Sequence, residues 1–124
     1  MIGSPEMHGL PDDADLTFLV GKTLNQVGVG RNDVGLYFDG PKTSIMIEAT
    51  SAVENGSEVT ASDNSFVIAP AMFPLIGRTV TDISWNRSGM VRLTFDDGAV
   101  LVIEDDSPHY ESYQIVHGDL RITV

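Results

Sequence analysis

Residues 75–105 read LIGRTVTDISWNRSGMVRLTFDDGAVLVIED, and the chain has already written something close to this at residues 19–49, LVGKTLNQVGVGRNDVGLYFDGPKTSIMIEA. Leu19, Gly21, Thr23 and Arg31 match Leu75, Gly77, Thr79 and Arg87 at an offset of 56. After a one-residue insertion, Val34, Leu36, Phe38 and Asp39 match Val91, Leu93, Phe95 and Asp96 at 57, and Ile47-Glu48 then match Ile103-Glu104 at 56 again. Matches in one order with such small slips point to a duplicated unit, and a repeat organises a chain before any motif is weighed.

Within each unit the periodicity is that of strands. A short apolar lead ends in Gly21 or Gly77, where glycine stops a helical turn. Pro74 limits the second lead to about one turn. The first strand carries Leu24, Val27 and Val29, or Val80, Ile83 and Trp85. That spacing breaks strict alternation once and predicts a bulge in each copy. Clean alternation follows, with Val34, Leu36 and Phe38, and Val91, Leu93 and Phe95, facing a core. The turns DGPK and DDG lead to third strands at 44–49 and 99–103, and AVLVI is apolar enough on both faces to lie centrally. Trp85 alternates with Ile83 and is expected in the core.

Beyond the meanders the halves diverge. Residues 51–70 suggest a loop with one or two short strands, at 58–61 and 65–68, and YESYQIVHGDLRITV reads as a final hairpin turning at His117-Gly118-Asp119. The fold class is therefore all-β: two duplicated three-stranded meanders packed as a small barrel or sandwich, with at most short helical turns. The β domain spans residues 16–124, with repeats at about 16–50 and 72–106 plus the C-terminal hairpin. Residues 1–15 are expected to form a mobile leader, part of which, GSPEM, has the look of a cloning remnant.

Composition narrows the function classes. The chain has 124 residues, 42% of them hydrophobic, which suits one domain with a real core. It holds no cysteine, so disulfides and thiolate zinc sites are excluded and a cytoplasmic setting is the simplest expectation. No apolar run is long enough for a membrane helix, and the N-terminus has no secretory pattern. The formal net charge of -11 argues against nucleic acid and anionic membrane as partners; it serves solubility first, and it would attract a basic protein.

The densest cluster of chemistry is EDDSPHYE at 104–111. Glu104, Asp105, Asp106, His109, Tyr110 and Glu111 are the candidate partner-binding residues, since tyrosine amid acid suits a protein surface. No arginine or lysine falls between Arg92 and Arg121, which leaves that window strongly negative. The rival use of this loop is a metal-dependent or acid-base enzyme with Asp106 and His109 as ligand or base. The spacing fits neither a calcium loop nor a zinc helix, so no metal or cofactor is expected. Ser112, His109 and Asp106 stand three apart on one short loop, an unlikely source of a converging triad, so no catalytic residue is assigned. Glu48 and Glu104 recur at equivalent positions and are expected to pair with Arg31 and Arg87. Tyr113 alternates with Ile115 and is expected to pack inward.

The elements G-K/R-x-V, L-x-F-x-D-G and Y-E-S, seen in LIGRTV, VRLTFDDGAVLVIED and the tail YES, resemble a small bacterial family of unknown function found mostly in actinobacteria. That resemblance covers the chain from about Leu16 and implies no catalytic residue. In class and size the chain is also similar to immunity proteins, which bind and neutralise toxins. Together these lead to the expectation of a non-enzymatic binding protein whose acidic face meets a basic protein partner. The C-terminal strand, Leu120–Val124, supplies a candidate edge for a homodimer.

Overall fold

The computed structural model describes residues 10–40, 42–107 and 111–124. The first meander is β1 (Leu24–Val29), β2 (Val34–Phe38) and β3 (Thr43–Ile47), followed by a hairpin of β4 (Ser51–Asn55) and β5 (Glu58–Ser62). A helix, α1 (Ser65–Met72), leads into the second meander, β6 (Val80–Trp85), β7 (Val91–Phe95) and β8 (Val100–Ile103), and a second hairpin, β9 (Tyr113–His117) and β10 (Leu120–Thr123).

The two hairpins are exchanged. One antiparallel sheet runs β1-β2-β3-β9-β10 and the other β5-β4-β8-β7-β6, so each meander is extended by the hairpin that follows the other. Neither sheet closes on itself, which makes the fold a sandwich rather than a barrel. β8 is central, between β4 and β7, as its doubly apolar sequence requires. Leu36, Phe38, Ile45 and Ile115 of one sheet and Val53, Leu93, Phe95 and Leu101 of the other are all buried in a common core.

The joint between the meanders is nearly twofold in its hydrogen bonds. The Gly21 amide donates to the Val80 carbonyl (2.8 Å), and the Gly77 amide donates to the Leu24 carbonyl (2.7 Å). Leu24 N–H donates to Arg78 O (3.0 Å) and Val80 N–H to Lys22 O (2.9 Å). Thr23 and Thr79 bridge each other, their hydroxyls 3.0 Å apart. Gly21 and Gly77 both have φ of +89°, a region that costs any residue with a Cβ about 1–2 kcal/mol. The bulges fall where broken alternation put them, between Leu24 and Gln26 and between Val80 and Asp82.

One expectation needs correction. Residues 65–68 form the start of α1 and not a strand. The Asn64 side chain caps the helix by accepting from Phe66 N–H (2.9 Å), and Ile68, Ala69 and Met72 bury one face at helical spacing. Pro70 lies inside this helix of two turns, where it has no N–H to give the ladder, and its ring is exposed. At the N-terminus, Leu10 and Ala14 pack on the core and Asp12 pairs with Arg87, while residues 1–9 of the leader expected over 1–15 lie outside the described residues. Among the described residues no helix is long and apolar enough to cross a membrane.

Candidate functional site

Two connections cross from one sheet to the other. The first, residues 48–50, joins β3 to β4, and the second, residues 104–112, joins β8 to β9. They meet at one end of the sandwich and bind each other by equivalent bonds. Glu48 N–H donates to Ser112 O (2.8 Å), and Glu104 N–H donates to Thr50 O (3.0 Å). Three residues suffice for the first crossing and nine are used in the second. The stretch EDDSPHYE is therefore the longer version of a link that the other half makes in short form.

Part of this longer link is fixed by its own acids. Ser112, fully buried, donates its hydroxyl to Asp105 Oδ1 (2.6 Å) and accepts from Ser107 N–H (3.2 Å). Asp106 Oδ1 accepts from Thr50 N–H (3.1 Å), which ties the second crossing to the first. Tyr113 is 1% exposed and donates its hydroxyl to the Gly89 carbonyl (2.6 Å), fastening β9 to the β6–β7 turn. Burial, with a smaller contribution from the Asp105 carboxylate, pushes the Tyr113 hydroxyl well above the usual tyrosine range.

Glu104 and Asp105 are half-buried, while Asp106 and Glu111 are exposed. His109 and Tyr110 lie outside the described residues. Among the described residues no group of three or more His, Asp or Glu side chains is placed to hold a metal ion. The Ser112 hydroxyl points to Asp105 and not to Asp106, and it is sealed from solvent. Arg87, expected from the repeat to pair with Glu104, pairs with Asp12 of the N-terminal segment.

Beside the crossings lies an open cleft of about 880 Å³. It is lined by Arg31, Asn32 and Asp33 from the β1–β2 turn, Glu48 from the first crossing, and Asp63 to Phe66 from the start of α1. The Ser65 hydroxyl holds two of its walls together, donating to the Gly30 carbonyl (2.6 Å). Glu48 also borders a smaller recess with Glu111 and Tyr113, so the cleft and the second crossing share one acidic margin. Partial burial, then the charges of Glu111 and Asp33, raise the Glu48 carboxyl above its ordinary value. Sequence reasoning singled out Glu48 as recurrent but missed Asp33, Asp63 and Phe66 as its neighbours. One sequence signal was available: no charged residue occurs from Asn64 to Gly77 in an otherwise acidic chain.

The model of a family of unknown function (DUF6188) matches residues 16–124, so the chain belongs to that family, in agreement with the resemblance read from its motifs. No curated protein and no solved structure matches the chain.

Proposed function

We propose that this protein is a non-enzymatic binding protein whose acid-lined end, where the two crossings meet, takes a basic protein partner. The observation that carries this reading is the crowding of Glu48 with Asp33 and Glu111 beside a second crossing that is acidic where it is longer. Carboxylates held this close repel one another, and a cationic partner relieves that repulsion while speeding encounter. Asp105 and Asp106 are engaged as acceptors within the fold, so direct contact falls mainly to Glu48, Glu104 and Glu111. Inhibition of the kind immunity proteins perform is one concrete form of such binding. The matching halves are read as a duplication, and the cysteine-free chain suits a cytoplasmic site of action.

The test is quantitative co-purification with the triple variant Glu48→Gln, Glu104→Gln, Glu111→Gln. A basic protein that follows the wild-type chain in stoichiometric amount should bind the variant at least about tenfold more weakly, with Tm held or raised. Recovery of the same partner at the same affinity would refute the reading.

A further inference from the structure

The outer face of α1 is apolar and uncovered. Phe66 is 64% exposed, Val67 51% and Phe73, just past the helix, 46%, and Pro70 between them is exposed as well. These positions fall within about 120° on one side of the helix, opposite the buried Ser65, Ile68, Ala69 and Met72. Exposed phenylalanines aligned on a helix with no charge among them are not scattered surface residues and mark a contact surface. Phe66 stands at the lip of the cleft that holds Asp33, Glu48 and Asp63, so the apolar stripe runs directly into the acidic margin. Arg31 shares that cleft but is outnumbered by its carboxylates.

Resting on the basic-partner reading, we infer that the element received is a basic amphipathic segment of the partner, with its apolar stripe seated on Phe66, Val67 and Phe73 and its Lys or Arg side chains on Asp33, Glu48 and Asp63. Charge complementarity selects this occupant. A second copy of the chain would bring the same acidic rim against itself, in a protein of net charge -11. A basic helix or strand with one apolar side satisfies both parts of the surface at once, which is the usual logic of groove recognition.

The probe is a labelled Leu/Lys peptide of about 18 residues, five helical turns, with its leucines on one face. Its control has the same composition with the leucines scrambled around the helix. By fluorescence anisotropy the aligned peptide should bind the wild type about tenfold more tightly than the scrambled one. Phe66→Ser with Val67→Ser should remove that advantage without lowering Tm, since both side chains are exposed. Glu48→Gln with Asp63→Asn should weaken both peptides. Unchanged binding of the aligned peptide by the serine variant overturns this inference, and the basic-partner reading survives if the charge variant still weakens binding. Indifference to the charge variant sinks that reading as well, and so does failure of both peptides to bind. Two other results overturn the inference by naming a different occupant. One is a dimer in sedimentation equilibrium that the serine variant abolishes. The other is capture by neutral phosphatidylcholine vesicles that the same variant loses.

Discussion

Deleting residues 106–111, so that Asp105 joins Ser112, should leave a folded protein. The reasoning is geometric. The first crossing spans the step from β3 to β4 with Glu48-Ala49-Thr50, and the variant would span the step from β8 to β9 with Glu104-Asp105-Ser112. The ends to be joined are equivalent, because Ser51 lies opposite Ile103 in one sheet as Tyr113 lies opposite Ile47 in the other. Among the described residues, the deletion removes the hydrogen bonds from Thr50 N–H to Asp106 and from Ser107 N–H to Ser112, at about 0.5–1.5 kcal/mol each. Shortening the link from nine residues to three recovers about 1 kcal/mol of closure entropy. The net loss is about 0–2 kcal/mol, or a fall in Tm of up to about 10 °C for a domain of this size. Urea unfolding should keep a single transition with an unchanged m-value, while affinity for the proposed basic partner falls. Loss of cooperative unfolding, or a drop beyond about 4 kcal/mol, would show that the longer crossing is needed by the sandwich and would refute the equivalence of the two links.

Tyr113→Phe should cost about 1–2 kcal/mol in urea unfolding, because it strands the buried Gly89 carbonyl. The same change should flatten the alkaline limb of stability. The folded state holds the Tyr113 proton beyond its ordinary value of 10.0, so above that pH the unfolded chain ionises first and wild-type stability falls by up to about 1.4 kcal/mol per pH unit, a slope the variant lacks. Phe95→Ala, at 1% exposure in the shared core, should cost about 3–5 kcal/mol, read as a lowered urea midpoint at constant m. Glu48→Gln should stabilise slightly at pH 7, by less than about 0.5 kcal/mol given its exposure to solvent. Since the folded carboxyl is harder to ionise than the unfolded one, the gap in Tm between variant and wild type should open as pH rises through the carboxylate range and close near pH 4.

The meanders were legible because strand periodicity writes one face into the sequence, and Leu36, Phe38, Leu93 and Phe95 occupy the core positions that alternation assigned. The bulges were legible for the same reason, since an extra residue shifts the period once. The equivalence of the hairpins was not legible. β4–β5 and β9–β10 share a turn glycine of positive φ, Gly56 at 64° and Gly118 at 59°, yet their side chains differ throughout and the unequal crossings move them out of the offset that the meanders share. Helix α1 was misread because SFVI is β-branched and aromatic in composition, while the capping Asn64 and the burial of Ile68, Ala69 and Met72 act only once the sheets are present to pack against. The candidate site was half legible. The acids at 104–106 were visible as a run, but Asp33, Glu48 and Asp63 come from three separate connections and only the fold brings them to one cleft.

The position of the extra residues follows from what a sheet tolerates. Inserting one residue into a paired strand turns its inward face outward, and in this sandwich every strand from β1 to β4 and from β7 to β9 buries at least one large side chain or a serine at less than 4% exposure. The joint at Thr23 and Thr79 is no freer, since each meander binds the other through both Gly21 and Gly77. The crossings differ from both, because among the described residues their backbone-to-backbone hydrogen bonds to each other use only their first and last residues: Glu48 with Ser112, and Glu104 with Thr50. What lies between those anchors can lengthen without disturbing either sheet. The second crossing is the longer one, and it carries acids beside a cleft bordered by Asp33, Glu48, Asp63 and Phe66 of α1. A link longer than its counterpart, which shares the Glu48 margin with the cleft that Phe66 borders, is where selection for binding can act with little selection against unfolding.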